Sequence, residues 1–439
     1  MTQAKILFAL ALFLVAPVAS YADEPLPQLE PTTLSQNEIS LIEWVDKRQD
    51  EILEELRQHV NINTGTQNIE GLDHYRKILT VELETLGFST REHESAPIDV
   101  LTCAGGQIEI ANHLSATING SAKNRLLLNG HIDTVFGPDD EFQTLEVDAS
   151  GILKGPGVAD MKGGIVIMLN ALRALHAQGR LNNANMTVLL NTDEEIGSLG
   201  SRQLIENMAR EHDLGLVFEG SSKNLVTRSR KGLGQVRLKV LGRESHAGAA
   251  HEDGVSASLE LAHKIVAIEQ LTNYDEQATV NVGVMAGGEK RNTIPGCAEA
   301  YIDLRFPHRD IGANLERSIT EIAQRQIVNN PNYPEFPKTE IWSTLHRPVK
   351  PIDKTVDQLI AQAMSLSVLI GEPIVGSQYS GGGTDGSIAQ GVGLPTFDSI
   401  GMDGAGAHSS REESTVASLI ARTKLAAVML NRLIDAEPF

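Results

Sequence analysis

The hydrophobic pattern of this 439-residue chain predicts an α/β fold: a mostly parallel central sheet flanked by helices, with a ferredoxin-like α+β domain inserted into it. Three observations carry that expectation. Short apolar runs end abruptly in polar turns, as residues 126–128 do before Gly130-His131, 187–190 before Thr192 to Glu195, and 214–218 before Glu219. Helix-period segments at 163–178 and 201–212 separate those runs, and strands alternating with helices argue for a parallel sheet. From residue 229 to 344 the rhythm changes. Strands at 235–241, 279–284, 298–306 and 338–342 interleave with helices at 255–268 and 311–327, in the order β-α-β-β-α-β of the split ferredoxin-like motif.

The remaining elements follow in chain order. Lys5 precedes the apolar run 6–16, and Ser20-Tyr21-Ala22 supplies small residues where a signal peptidase cuts. Residues 1–22 therefore read as a secretory signal, too short to span a bilayer, and the processed protein is expected to be periplasmic or secreted and free of the membrane. A proline-bearing leader leads to Ser35-x-x-Glu38, a capping box for one helix running to about Val60, and a second helix over about 72–86 stops at Gly87. After the insert come a helix from about Thr355, a loop at 380–386, a strand at 395–400 and a last helix from about Ser414. The division is thus a signal at 1–22, a main domain at 23–228 and 345–439, and an inserted lid at 229–344.

A net charge of −20 argues against nucleic acid or an anionic membrane as partner. An exported protein can pair its cysteines. Here Cys103 and Cys297 fall in different domains, so free or buried thiols are expected.

The residues that carry chemistry stand at the ends of the apolar runs. His131, Asp160, Glu195, Glu219 and His408 supply two imidazoles and three carboxylates, one able to bridge, which is the donor set of a pair of zinc-like ions. Asp133, two residues beyond His131, can accept that ring's other N–H and fix its tautomer. Asp160, just before a helix, would by itself be an N-cap. Asp193, Glu194 and Glu195 crowd like charges into one turn, which raises their pKa values unless cations compensate, and the two glutamates admit a division into ligand and general base. No P-loop or G-x-G-x-x-G follows the first strands, which removes the usual nucleotide-binding signatures.

Taken in order, H-x-D at 131–133, G-x-x-D-x-K-G-G at 157–164, D-E-E-x-G at 193–197, the strand-end Glu219 and Gly406-Ala407-His408-Ser409 resemble the M20 metallopeptidase family. The similarity continues through Ser245-His246-Ala247-Gly248, Arg291 to Gly296, Asp303-Leu304-Arg305 and Gly381 to Asp385, so it covers nearly the whole mature chain. Within that family the chain looks most like glutamate carboxypeptidases of the carboxypeptidase G2 type. The resemblance implies a zinc-exopeptidase-like main domain and a lid that also dimerises. It implies two Zn²⁺ ions per subunit, with Co²⁺ or Mn²⁺ as substitutes. Asp160 would bridge them, His131 and Glu219 would complete one site, and Glu195 and His408 the other. Glu194 would be the general base, Asp133 would orient His131, and His246 would reach the reacting carbonyl from the partner of a homodimer. Asn292, Arg305, Gly382, Gly383 and Thr384 would hold the substrate's terminal carboxylate, and the peptide bond after Asp160 would be cis. The implied reaction is amide hydrolysis releasing a C-terminal amino acid, glutamate foremost, from a small peptide or N-acyl conjugate. N-acyl-amino-acid deacylation, dipeptide hydrolysis and a non-catalytic binding role are the alternatives. Arg228, Arg230 and Lys231 either favour an acidic substrate or form a solvated face.

Overall fold

The computed structural model describes residues 25–28 and 32–438; the expected signal at 1–22 lies outside the described residues. Among the described residues, no helix is long and apolar enough to cross a membrane.

The capping box is present: Ser35 Oγ accepts the Glu38 N–H at 3.3 Å, and the Glu38 carboxylate accepts the Ser35 N–H at 2.7 Å. The single helix expected from there is two. Helix α1 (Gln36–Asp46) ends where Arg48 leaves helical backbone at φ −124° and lays its guanidinium 4.3 Å from the Trp44 ring centroid. Helix α2 (Gln49–Val60) then resumes, and Leu41, Val45, Ile52 and Leu56 are all buried, so the two pieces still present one apolar stripe. Helix α3 (Ile69–Thr85) stops before Gly87, which adopts φ +89°.

The central sheet is built from β1 (Ser89–His93), β2 (His113–Asn119), β3 (Leu126–His131), β4 (Asn185–Asn191), β5 (Leu214–Val217) and the short strand Thr396–Phe397. Its order is β1-β2-β4-β3-β5 followed by Thr396–Phe397. The last four strands run parallel, while β2 is antiparallel to β4 and β1 to β2. Register aligns the ends that matter. His131 pairs with Asn191 and Asn129 with Val217, so His131, the 192–195 turn and Glu219 emerge side by side at the carboxyl edge. One face of the sheet is covered by the first three helices, α4 (Lys162–Ala177) and a C-terminal helix at 416–435. On the other face Ile205 of α5 (Arg202–Arg210) packs with Leu127, Leu189 and Ile388. Helix α4 lies so close to the sheet that a Cβ on Gly164 would sit 1.8 Å from Phe218 O.

The insert has the expected order: β6 (Gly232–Leu241), α6 (Ala257–Glu269), β7 (Thr279–Gly287), β8 (Cys297–Phe306), α7 (Arg309–Gln324) and β9 (Lys338–Arg347). Its sheet runs β7-β8-β6-β9, antiparallel throughout. Alternate residues Val236, Leu238, Val240, Ala300, Ile302 and Leu304 point inward onto Leu261, Ile268, Leu315 and Ile319, giving the lid its own core. Strand β9 continues to Arg347, beyond the expected end at 342, and α8 (Lys354–Ile370), α9 (Asp385–Gly391) and α10 (Val416–Asp435) return the chain to the main domain.

The expectation of free thiols is wrong. Cys103 and Cys297 form a disulfide with their Cα atoms 5.9 Å apart. Domain membership misled because the 94–112 loop between β1 and β2 reaches across to the first residue of β8, where the Cys103 N–H also meets the Glu299 carboxylate.

Candidate active site

The structure gathers the five expected ligand residues, from positions up to 277 apart in the chain, around Asp160. His131 Nε2 stands 3.1 Å from Asp160 Oδ1 and 3.3 Å from Glu219 Oε1. On the opposite side His408 Nε2 stands 3.2 Å from Asp160 Oδ2 and 3.1 Å from Glu195 Oε2. Asp160 therefore offers one oxygen to each imidazole. The Asp160–Met161 peptide is cis, and Met161 Sδ lies 3.2 Å from the His131 N–H. His408 sits at φ +61°, a left-handed conformation uncommon for a residue with a side chain.

Asp133 is fully buried and ties two motifs together. His131 Nδ1 lies 3.0 Å from the Asp133 carbonyl oxygen and 3.3 Å from its carboxylate. The same carboxylate accepts the Glu194 and Glu195 N–H groups at 3.2 Å each, and the Thr66 hydroxyl at 2.9 Å. Asp133 thus fixes the imidazole through its carbonyl oxygen, with its carboxylate close by, and pins Glu194 and Glu195 through that carboxylate. Glu194 Oε1 receives Arg347 Nη2 at 2.5 Å, and Arg347 Nη1 donates to Asp385 at 2.7 Å and to Ser198 at 2.9 Å.

Charge in this cluster is unbalanced. Burial by itself would lower the His131 imidazole, yet Glu219, Asp133 and Asp160 push it well above its ordinary value. Hydrogen bonds to Asp160 and Glu195 push His408 up to about 11. Burial, then the Asp160 charge, raises Glu195 to about 8. Burial likewise holds Glu194 far above the carboxylate range, with Arg347 pulling it back, and burial raises Glu219. Acids that keep protons beside imidazoles that take them mark a site short of positive charge. Divalent cations would supply it, and imidazoles grouped with carboxylates are donors that suit them. His131, Asp160 and Glu195 bring ligand atoms within 4.8 Å of one another, as do His131, Glu194 and Glu219.

Asp160, Glu194, Glu195, Glu219 and His408 line a cavity of about 630 Å³ together with Arg230, Arg305, Arg347, Gly382, Gly383 and Thr384. Arg305 donates to Asp303 at 2.7 and 2.9 Å and to Gly381 O at 3.1 Å. Arg230 is buried in a two-pronged pair with Asp398, each contact 2.8 Å, and Arg228 is buried against Asp357 at 2.7 Å, so neither lies on a solvated face. His246 and Asn292 stand elsewhere. They are exposed neighbours where the short strands Ser245–His246 and Thr293–Ile294 pair antiparallel, with Ala247 N–H donating to Asn292 O at 2.9 Å, and neither lines the cavity within one chain. No motif in the sequence singles out Arg347 or Glu412. The first ends a strand outside any motif, and the second is one of two adjacent glutamates four residues past His408.

The sequence pattern of peptidase family M20/M25/M40 matches residues 127–432. Carboxypeptidase G2 of Pseudomonas sp. (strain RS-16) is 29% identical over 384 residues, covering 87% of this chain and 89% of that protein. Acetylornithine deacetylase of Proteus mirabilis (strain HI4320) is 32% identical over 240 residues, 51% of this chain and 57% of that one. The crystal structure of a tripeptidase from Staphylococcus aureus superposes with a TM-score of 0.67 at 21% identity, over 88% of this chain and 99% of that one. With the family pattern spanning both the acidic cluster and the lid, the chain belongs to peptidase family M20/M25/M40 and is a hydrolase.

Proposed function

We propose that the protein is a two-metal amide hydrolase that releases a C-terminal amino acid, glutamate foremost, from a small peptide or N-acyl conjugate. The observation that carries this reading is Asp160, whose two carboxylate oxygens lie 3.1 and 3.2 Å from two different imidazoles, each with a glutamate beside it. Zn²⁺ ions bound there, or Co²⁺ or Mn²⁺ in their place, would acidify a shared water and polarise the scissile carbonyl. The protein's own groups do the rest. Glu194, aimed by Arg347, takes the proton of the attacking water and returns it to the leaving amine. Asp133 holds His131 in one tautomer and fixes the turn that carries Glu194 and Glu195. Arg305, beside Gly382, Gly383 and Thr384, binds the terminal carboxylate in exchange for its two-pronged contact with the partly exposed Asp303, a geometry its planar fork is suited to. Of the three guanidinium groups around the cavity, Arg230 and Arg347 are already matched by Asp398, Glu194 and Asp385, so any preference for an acidic leaving residue rests on Arg305.

His246 and Asn292 complete the site of a second copy in a homodimer formed through the lid. His246 Nδ1 accepts the Gly248 and Ala249 N–H groups at 3.1 and 3.0 Å, which makes Nε2 the protonated nitrogen and a donor toward an oxyanion. Export through residues 1–22 to the periplasm or beyond belongs to the same proposal.

The test is a panel of N-acyl and peptidyl substrates with the purified mature protein. Fastest release of C-terminal glutamate is expected, abolished by a chelator and restored by Zn²⁺. Glu194→Ala should retain metal and lose about 10²–10⁴-fold in kcat. Faster deacylation of N-acetylated basic amino acids would favour the deacylase alternative, and full turnover after exhaustive chelation would refute metal dependence.

A further inference from the structure

The loop that carries His408 is closed by a reciprocal backbone pair: Ala405 N–H to Glu413 O and Glu413 N–H to Ala405 O, both at 2.9 Å. Inside it the chain turns tightly. Gly406 takes φ +73°, and a Cβ there would lie 2.3 Å from Arg411 O. Beside the closing pair, Glu412 is fully buried and points its carboxylate away from its own loop, into the turn that ends at Asp160. Oε2 accepts the Gly157 N–H at 3.0 Å, and Oε1 accepts the Ala159 and Asp160 N–H groups at 2.8 and 3.0 Å. Among the described residues its hydrogen-bond partners are these three amides and no cation. Burying a carboxylate is costly; Lys162 acts on Glu412 through space but no cation hydrogen-bonds it, so three convergent amide donors offset most of that cost, and only while the turn keeps its shape.

We propose that Glu412 is a positioning residue that sets the distance between the two halves of the candidate metal centre, by clamping the Asp160 turn to the His408 loop. This rests on the two-metal reading above. Asp160 and His408 arrive from motifs 248 positions apart, and Asp160 must present one oxygen to each side. A shift of about an ångström between the two loops would spoil one half of the cage while leaving the hydrophobic core intact. Glu412 touches neither substrate nor the reacting atoms; it acts through the backbone of one expected ligand and the loop of another.

The test is titration of the metal-free protein with Zn²⁺ against a chelating dye, on the full chain and on Glu412→Ala and Glu412→Gln. The glutamine keeps one acceptor for Ala159 and Asp160 but turns an amide N–H₂ toward the Gly157 N–H. Glu412→Ala should lose about 10–100-fold in affinity for at least one ion, with a matching fall in kcat and little change in KM, and Glu412→Gln should fall between it and the parent. A purely structural role would lower the urea midpoint and leave Zn²⁺ affinity alone. If Glu412→Ala fails to fold, Glu412→Gln decides. Zn²⁺ affinity within twofold of the parent in the folded variants overturns the clamp alone. No uptake of Zn²⁺ by the parent protein overturns the two-metal reading, and the clamp with it.

Discussion

Replacing Arg347 by methionine keeps the side-chain volume and removes a cation whose side chain is 2% exposed. Its fork holds Glu194 at 2.5 Å, Asp385 at 2.7 Å and Ser198 at 2.9 Å, and also reaches Glu194 O at 3.2 Å. Each hydrogen bond to a buried carboxylate is worth about 1.5–3 kcal/mol, and removing one partner of a buried ion pair costs about 3–5 kcal/mol. The two carboxylates can limit the loss by taking up protons, so about 3–5 kcal/mol is the expected destabilisation, read by urea unfolding. The kinetic effect has a definite sign. Glu194 serves as a base only when ionised, so the rate climbs with pH as this carboxyl loses its proton. Burial raises that step and Arg347 lowers it, so Arg347→Met should move the acid limb of kcat/KM to higher pH. It should also cost about 10²-fold in kcat through loss of aim. Arg347→Lys should recover more stability than rate, because an ammonium cannot span Glu194 and Asp385 in one plane. A methionine variant within about 1 kcal/mol of the parent, with an unmoved acid limb, would refute the reasoning.

Arg305→Met should raise KM for substrates with a free C-terminal carboxylate by about 10–100-fold with little change in kcat, measured against a C-terminally amidated control. Gly164→Ala drives a methyl group against Phe218 O and should cost about 3 kcal/mol or more in urea unfolding, since neither helix nor strand can yield cheaply. The double variant Cys103→Ser, Cys297→Ser opens a loop of 194 residues and should lower unfolding free energy by up to about 5 kcal/mol; unchanged unfolding would show that the link constrains nothing.

What could be read in advance follows from periodicity and from chemistry confined to short motifs. The alternation of apolar runs and helices located β3, β4 and β5, and the ends of those strands located His131, Glu195 and Glu219. The lid order was legible because β8 alternates strictly between buried and half-buried residues and β6 does so from Gly234 onward. Long-range partners were not. The break between α1 and α2 leaves the apolar stripe undisturbed, so the pattern carries no trace of it. Arg347 and Glu412 owe their importance to partners 153 and 252 residues distant, and neither stands in a motif that announces them. The cysteine pair was missed for the same reason: the excursion of residues 94–112 onto the lid is set by tertiary packing and leaves no local signature.

That sulfur link changes what kind of moving part the lid is. The chain enters and leaves it at one end of β6, where Leu233 pairs with Arg347, whereas Cys297 pairs with Leu241 at the other end. Eight steps of strand separate the two ends, about 26 Å at roughly 3.3 Å per residue. A door hung only at its polypeptide crossings would swing its far edge by about 7 Å for a 15° rotation over that span. Here the far edge is moored, and any swing must drag residues 94–112 of the body along with it. If the insert closes as a lid, it would do so as a beam supported at both ends, with the slack in one surface loop limiting how wide the cleft can gape.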